Sequence, residues 1–262
     1  MVCKNCDTVL NEETKFCNNC GAKIIRNRLT IKSLFENFSE QFLNYDNKFL
    51  QTFISLFTKP DDVIGGYING TRKKYVNVIS YFAIAITISG IQIYILSNFF
   101  PELYNISSLT LEGQEEMANN NLHFIKEYQS IIMMLYAPIY ALMSRLVFLK
   151  NKTYNYAEHL VIFMYVLAQI TIIGSIITLI NALFGITLGA SGMALLLFQL
   201  IYSAYCLKKL FSLSLKGILL KTLLFLLILL GFFIIFSIIY ILVMIGVHGS
   251  LEEFAKTMAP TT

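Results

Sequence analysis

The hydrophobic positions of this chain form long uninterrupted stretches across its last two thirds. Each stretch is close to the roughly 20 apolar residues that an α-helix needs to cross a bilayer. Five such stretches lie near residues 76–100, 130–149, 159–184, 189–207 and 218–247. The pattern predicts an all-α membrane protein with about five transmembrane helices over residues 76–247, whose surroundings are the lipid bilayer, followed by a tail at 248–262.

Residues 29–75 predict an amphipathic helical neck in front of these stretches. From Leu29 to Thr58 apolar residues recur every three or four positions, and polar residues occupy the other side, which is typical of a helix with one apolar face. We expect this helix to end at Lys59, because the residue before Pro60 is disfavoured in the α region. The neck can lie in the headgroup layer or pack on the transmembrane bundle or on a second subunit, and we favour the interfacial placement.

Four of the five cysteines lie within the first 20 residues, as the C-x2-C pairs Cys3 with Cys6 and Cys17 with Cys20. Two such pairs can offer four thiolates to one tetrahedral ion, and Zn²⁺ is the ion that suits this ligand set best. No apolar signal segment opens the chain. We therefore expect this segment in the reducing cytosol, where paired cysteines bind metal more often than they form disulfides.

The sequence thus predicts a small zinc ribbon over residues 1–28. Four thiolates close the coordination sphere, so that the zinc ion is expected to be structural and to leave no position for a substrate. Gly21 follows the second pair, at a point where the backbone often needs a positive φ. Val9, Leu10 and Phe16 are the apolar residues expected to pack inside the ribbon.

The composition narrows the class of protein. Hydrophobic residues make up 56% of the chain and charged residues 14%, about half the usual charged share, and the mean hydropathy is +0.64. These values exclude a disordered chain and an ordinary soluble enzyme. The net charge of +4 is mild, and the ribbon does not alternate aromatic and basic residues, so that we do not expect a nucleic-acid partner.

The distribution of lysine and arginine predicts the orientation in the membrane. Eighteen of the 20 basic residues lie on one side of the expected spans, and the other side has only Lys126 and Lys256. Basic residues favour the cytoplasmic side. We therefore expect an inner-membrane protein with a cytoplasmic N-terminus and an external C-terminus.

A polar cluster is predicted where the second and third spans meet the inner boundary. It consists of Arg145, Tyr156, Glu158 and His159. In one interpretation Glu158 pairs with Arg145 inside a functional site, since ionisable residues in spans are often functional. In the other, which we favour, these side chains cap helices and reach toward the headgroups.

For the other polar residues the sequence leads to simpler predictions. The basic run Arg72, Lys73 and Lys74 precedes the first span, where it can anchor the topology or contact anionic lipid. Amide side chains inside the spans are expected to bond to neighbouring helices; they belong to Gln92, Gln169, Asn181 and Gln199. No nucleophile–base pair, phosphate loop, dinucleotide fingerprint or H-E-x-x-H motif is present in the sequence, so that we do not expect an enzyme.

Two sequence motifs resemble a known family. The first is a proline-then-glycine stretch that ends in a Gly-x-Arg-Lys-x-Tyr motif, and the second is a Tyr-x-Glu-His-Leu-Val motif. They consist here of Pro60, Gly70, Arg72, Lys73 and Tyr75, and of Tyr156, Glu158, His159, Leu160 and Val161. With the four-cysteine ribbon, they make the chain similar to an uncharacterised family of bacterial zinc-ribbon membrane proteins. The resemblance implies a bacterial inner-membrane location and no particular activity.

These observations lead to one expected function and two rivals. The expected function is that of a non-enzymatic scaffold, adaptor or sensor whose cytosolic ribbon engages a protein partner. The first rival is a transporter or channel that uses the polar cluster at the inner ends of the second and third spans. The second rival is an oligomeric membrane effector, with the homo-oligomeric state left open.

Overall fold

The computed structural model describes residues 2–11, 14–22, 24, 48–104, 115–151 and 153–248. Contacts divide the chain into two units, residues 1–47 and residues 48–262. Each unit is described by itself. The expected amphipathic stretch over 29–47 and the expected tail over 249–262 lie outside the described residues.

The described residues of the first unit form two tight turns, each built around one C-x2-C pair. An antiparallel bridge joins Val2 to Val9. Leu10 is buried together with Cys3 and Cys17. The expectation that Val9 and Phe16 pack inside was wrong, because they are 82% and 51% exposed. In so small a unit the cysteines and Leu10 already fill the interior.

The second unit is helical, and its described residues contain no strand. Its described residues form six α-helices of more than three residues, with two short helical turns between them. They are α1 (Lys48–Thr58), a π-helical turn (Asp61–Gly65) that runs into Gly66–Ile68, α2 (Val78–Phe99), a 3-10 turn (Pro101–Tyr104), α3 (Glu115–Val147), α4 (Tyr156–Leu183), α5 (Leu188–Leu210) and α6 (Leu215–His248). The helices α2 to α6 each contain a segment long and apolar enough to cross a membrane, which confirms the expected number of five.

The helix α4 is the centre of the bundle. It packs against α2, α3 and α5, and its buried side chains include Ile162, Tyr165 and Gln169. By contrast, α6 is apolar along most of its length and yet leaves leucines such as Leu219 and Leu227 mostly exposed. A helix that is apolar all round and exposed is suited to contact with lipid.

The second spanning helix is longer than expected. The sequence predicted the second span near residues 130–149, but α3 runs from Glu115 to Val147 without a break. Residues 115–137 contain neither glycine nor proline, so that nothing in this segment interrupts the helical hydrogen bonds. The segment that precedes the expected span and the span itself therefore form one helix.

Local signals explain where several helices begin and end. Asn77 accepts a hydrogen bond from the Ile79 N–H and caps α2. Asn155 and Glu158 form a reciprocal capping box at the start of α4, which satisfies two N–H groups. The helix α1 ends at Thr58, two residues before Pro60, as the proline predicted.

Candidate metal centre and polar contacts of the helical unit

The two cysteine turns have the same backbone geometry. In the first, the Cys3 N–H donates to the Thr8 carbonyl and the Asp7 N–H donates to the Cys3 carbonyl, both at 2.9 Å. In the second, the Cys17 N–H donates to the Ala22 carbonyl at 2.9 Å and the Gly21 N–H donates to the Cys17 carbonyl at 2.8 Å. The repetition shows that each C-x2-C sequence folds by its own local hydrogen bonds.

The residue after each pair has a positive φ. The φ of Gly21 is +71°, which confirms the expectation for that glycine. The equivalent residue of the first turn is Asp7, with a φ of 55°. Aspartate tolerates this left-handed region better than most residues. The sequence did not single out Asp7, because only its place in the repeated turn makes it equivalent to Gly21.

The four sulfur atoms lie close together. The Sγ atoms of Cys3, Cys6, Cys17 and Cys20 are all within 4.8 Å of one another. The pairs Cys3–Cys20 and Cys6–Cys17 are each 3.6 Å apart, too far for a disulfide bond, which is about 2.0 Å long. Ligands at about 2.3 Å from a tetrahedral ion lie about 3.8 Å from one another. The spacing therefore suits a single metal ion.

Hydrogen bonds lower the pKa values of two of the four thiols, those of Cys6 and Cys20. Asn19 donates to the Thr8 hydroxyl at 3.1 Å, and that hydroxyl lies 3.2 Å from the Cys6 sulfur. The Thr8 hydroxyl lowers the pKa of Cys6 to about 6. The Asn5 side chain lowers the pKa of Cys20. Two of the four ligands are thus stabilised as thiolates, the form that binds metal.

Cys3 differs from these two thiols. The Asn5 N–H lowers its pKa, but burial and the neighbouring thiols of Cys20 and Cys6 outweigh this effect and raise the pKa to about 11. Four negative sulfur atoms this close together repel one another. A divalent cation removes that repulsion, and its binding is expected to release protons.

The helix α1 is held by hydrogen bonds to the carbonyl groups of its last residues. The four final carbonyls of a helix have no donor within the helix, and Pro60 has no N–H to offer to Leu56. The Tyr202 hydroxyl donates to the Leu56 carbonyl at 3.1 Å. The Tyr205 hydroxyl donates to the Phe57 carbonyl at 2.9 Å. Two tyrosines of α5 therefore cap α1 from the side.

Other side chains hold α1 nearer its middle. The Gln169 amide donates to the Phe53 carbonyl at 3.0 Å, and the Val76 N–H donates to the Thr52 hydroxyl at 3.0 Å. Thr52 and Leu56 are fully buried. The described part of the neck thus packs on the bundle, which is one of the placements that the sequence left open. Its outer face still exposes apolar side chains, those of Leu50, Ile54 and Phe57.

The basic run before α2 makes contacts within the protein. Lys74 donates to Asp62 at 2.6 Å, and the Tyr75 hydroxyl donates to the same carboxylate at 2.5 Å. These two hydrogen bonds lower the pKa of Asp62. The Arg72 guanidinium lies 4.0 Å from the centre of the Tyr67 ring. Two of the three basic side chains thus brace the turn at 61–68.

The polar cluster at the ends of α3 and α4 is not a single network. The Glu158 carboxylate accepts from the Asn155 N–H at 2.6 Å in the capping box. Arg145 donates instead to the carbonyls of Phe148 and Asn151, at 3.5 and 3.4 Å. Among the described residues these two side chains form no ion pair, because each satisfies a helix end of its own.

His159 and Tyr156 make separate contacts as well. His159 is fully buried, with its Nδ1 3.0 Å from the Ser144 hydroxyl. Its Nε2 has no hydrogen-bond partner in the described part of the chain. The Tyr156 hydroxyl donates to the Pro138 carbonyl at 3.4 Å. Both contacts link α4 to α3.

The amide side chains bond between helices, which confirms that expectation. Ser175 donates to Gln92 at 3.0 Å, and Asn181 donates to Ser191 at 3.0 Å. Gln199 donates to the Tyr140 hydroxyl at 3.2 Å. Gln169 accepts from the Tyr81 hydroxyl in addition to its bond with α1. These bonds join α2, α3 and α5 either to α4 or to each other.

Comparison with known proteins finds a match for only part of the chain. The sequence model of a family described as "Protein of unknown function (DUF3667)" matches residues 46–90. This stretch covers α1, the turn at 61–68, the basic run and the first half of α2. No curated protein and no solved structure matches the chain. The match and the four-cysteine cluster together fit an uncharacterised family.

Proposed function

We propose that this protein is a non-enzymatic adaptor or sensor of a bacterial inner membrane, whose cytosolic four-cysteine head holds a structural zinc ion and binds a protein partner. The observation that carries the proposal is the closed set of four sulfur atoms within 4.8 Å of one another. Such a set holds the ion completely and leaves no position for a substrate. The ion would therefore shape a surface and take no part in a reaction.

The surface of the head supports a protein partner. Val2 and Val9 are bridge partners, and they are 55% and 82% exposed. Phe16 is 51% exposed. Exposed apolar side chains on a unit this small favour contact with another protein. The head has few other apolar residues, so that these three are the best candidates for the contact.

The helix α1 supports a signalling or tethering role for the chain between the head and the spans. Its carbonyl groups accept hydrogen bonds from Gln169, Tyr202 and Tyr205. The chain that leaves the head therefore enters the bundle through a helix with a defined position. A partner that binds the head would be tethered to the bundle through α1, and a pull on the chain would act on α4 and α5.

Site-specific photo-crosslinking in living cells tests the partner. A photoreactive residue at Val9 of the full chain should give a crosslinked adduct of higher mass. The same residue at Lys4, an exposed polar position of the same turn, should give far less. The Cys17→Ser variant should abolish the Val9 adduct, because the surface depends on the ion. Absence of any adduct at Val2, Val9 and Phe16 would contradict the proposal.

Reporter fusions test the orientation. A reporter that is active only outside the cytosol should be active when it is fused after Thr262, and a cytosolic reporter at the same position should be silent. Five spans with a cytosolic head require this result, and the asymmetry of lysine and arginine is its physical basis. Activity of only the cytosolic reporter would refute the proposed layout.

A further inference from the structure

A cavity of about 280 Å³ lies among α3, α4, α5 and α6. Its walls are mainly apolar, with rings from Phe148, Phe163 and Phe225. Leu196 and Leu197 of α5 line it and are 61% and 62% exposed, so that the cavity opens sideways between α5 and α6. Its volume is close to the lower end of the range for ligand cavities, about 300 Å³, which suits a single hydrocarbon chain.

A cation lies near one end of the cavity, one helical turn from Ile218. Lys221 lines it, and its Nζ donates to the Val147 carbonyl at 2.7 Å and lies 5.1 Å from the centre of the Phe148 ring. An ammonium group has three N–H donors, and the Val147 carbonyl occupies one of them. Lys221 is the last charged residue of α6 before the apolar stretch that runs to His248. It therefore lies where the apolar part of the helix begins.

The length of the cavity matches one leaflet. Its lining runs along α6 from Ile218 to Leu229, and the part from Lys221 onward is about 12 Å long at 1.5 Å per residue. Half of the hydrocarbon thickness of a bilayer is about 15 Å. The cavity therefore extends from a cation at the boundary to near the bilayer centre, and it is open to the side where lipid lies.

We propose that this cavity holds one acyl chain of an anionic phospholipid, with the lipid phosphate at the Lys221 ammonium. The inference rests on the membrane placement in the proposed function, and it requires neither the zinc ion nor the protein partner. The phosphate would accept hydrogen bonds from the two remaining Lys221 N–H donors. A zwitterionic lipid fits the same walls, but its own cation opposes the lysine, so that the lipid charge should decide occupancy.

The absence of tryptophan from the chain allows a sharp test by fluorescence quenching. Leu226→Trp places a single tryptophan on the cavity wall, and Leu227→Trp places one at nearly the same depth on α6, outside the cavity lining. Each purified full-length variant is reconstituted in vesicles with brominated phosphatidylglycerol or, at the same mole fraction, brominated phosphatidylcholine. Bromine quenches tryptophan only at short range.

The Leu226→Trp protein should bind brominated phosphatidylglycerol about fivefold more strongly than brominated phosphatidylcholine, the preference that one lysine near a membrane surface supplies. The tryptophan fluorescence of the Leu227→Trp protein should be quenched equally by both lipids, which also verifies that the helix is in the bilayer. Adding Lys221→Gln to Leu226→Trp should abolish the preference, and adding Lys221→Arg should preserve it. Equal quenching of Leu226→Trp by both lipids, with Leu227→Trp quenched, would overturn the inference and leave the membrane placement intact.

Discussion

The Tyr202 hydroxyl donates to the Leu56 carbonyl at 3.1 Å, and the two residues are 146 positions apart. The bond compensates for Pro60, which lacks the N–H that would otherwise complete α1 at this carbonyl. Leu56 is fully buried and Tyr202 is 4% exposed, so that water does not replace the bond. This pair ties α1, a helix of the neck, to the fourth spanning helix.

Removing that hydroxyl should destabilise the protein. Tyr202→Phe keeps the ring and leaves a buried carbonyl without a donor, which should cost about 1–2 kcal/mol of unfolding free energy. Tyr205→Phe is the matched control, because its hydroxyl bonds to the same helix end at an exposed position and should cost less than about 0.5 kcal/mol. Unfolding in detergent micelles measures both values. Equal losses of unfolding free energy for the two variants would argue against the role of the buried hydrogen bond.

The ion pair of Asp62 and Lys74 predicts a pH dependence of stability. Hydrogen bonds from Lys74 and Tyr75 lower the pKa of Asp62 in the folded state. Its contribution is therefore complete above its unfolded pKa of about 3.9, and it is lost as the pH falls through the folded value. The Asp62 side chain is 40% exposed, so that the contribution should be at most about 1 kcal/mol and weaken with salt.

Unfolding of Asp62→Asn and wild type at pH values from about 6 to 3 measures this contribution. The free energies of unfolding of the two proteins should differ most at pH 6 and converge as Asp62 of the wild type becomes protonated. Asp61→Asn changes an exposed neighbouring carboxylate and should retain the wild-type difference between neutral and acidic pH. A constant difference in unfolding free energy between wild type and Asp62→Asn across the pH range would contradict the prediction.

Glu158 should be needed for the helix start rather than for transport. Asn155→Ala removes the side chain that caps α4 and should cost about 1 kcal/mol of unfolding free energy. Glu158→Gln keeps a side chain that can complete the capping box and should cost less. In liposomes, neither Glu158→Gln nor Arg145→Gln should change solute flux relative to wild type. A selective flux that Glu158→Gln abolishes without loss of stability would favour the transporter instead.

Metal content should depend on the head alone. Wild-type protein purified under reducing conditions should contain zinc, and elemental analysis of Cys17→Ser should show its loss, because three thiolates leave the tetrahedral site open. Cys206→Ser is the control, since Cys206 is a buried thiol of the helical unit and should leave the zinc content unchanged. Wild-type protein without bound metal would refute the proposed zinc site.

The cysteine turns and the spans were predictable because both depend on short-range patterns. A C-x2-C pair folds through hydrogen bonds within six residues, such as the bond from the Cys17 N–H to the Ala22 carbonyl. An apolar stretch of about 20 residues forms a helix in lipid, because only internal hydrogen bonds can satisfy its backbone there. Pro60 and Asn155 likewise act on the residues next to them.

Only the packing of the helices decided which polar groups meet. The sequence left open whether Glu158 and Arg145 pair or cap helices, and in the structure each bonds to a helix end of its own. Nothing local in α5 indicates that Tyr202 completes α1, since that bond requires two distant segments to lie side by side. Local interactions are enough to specify the long apolar helices and the four-cysteine turns, so that both could be predicted from the sequence. The tertiary structure determined the docking of α1 and the cavity beside Lys221, because these exist only where surfaces of several helices come together.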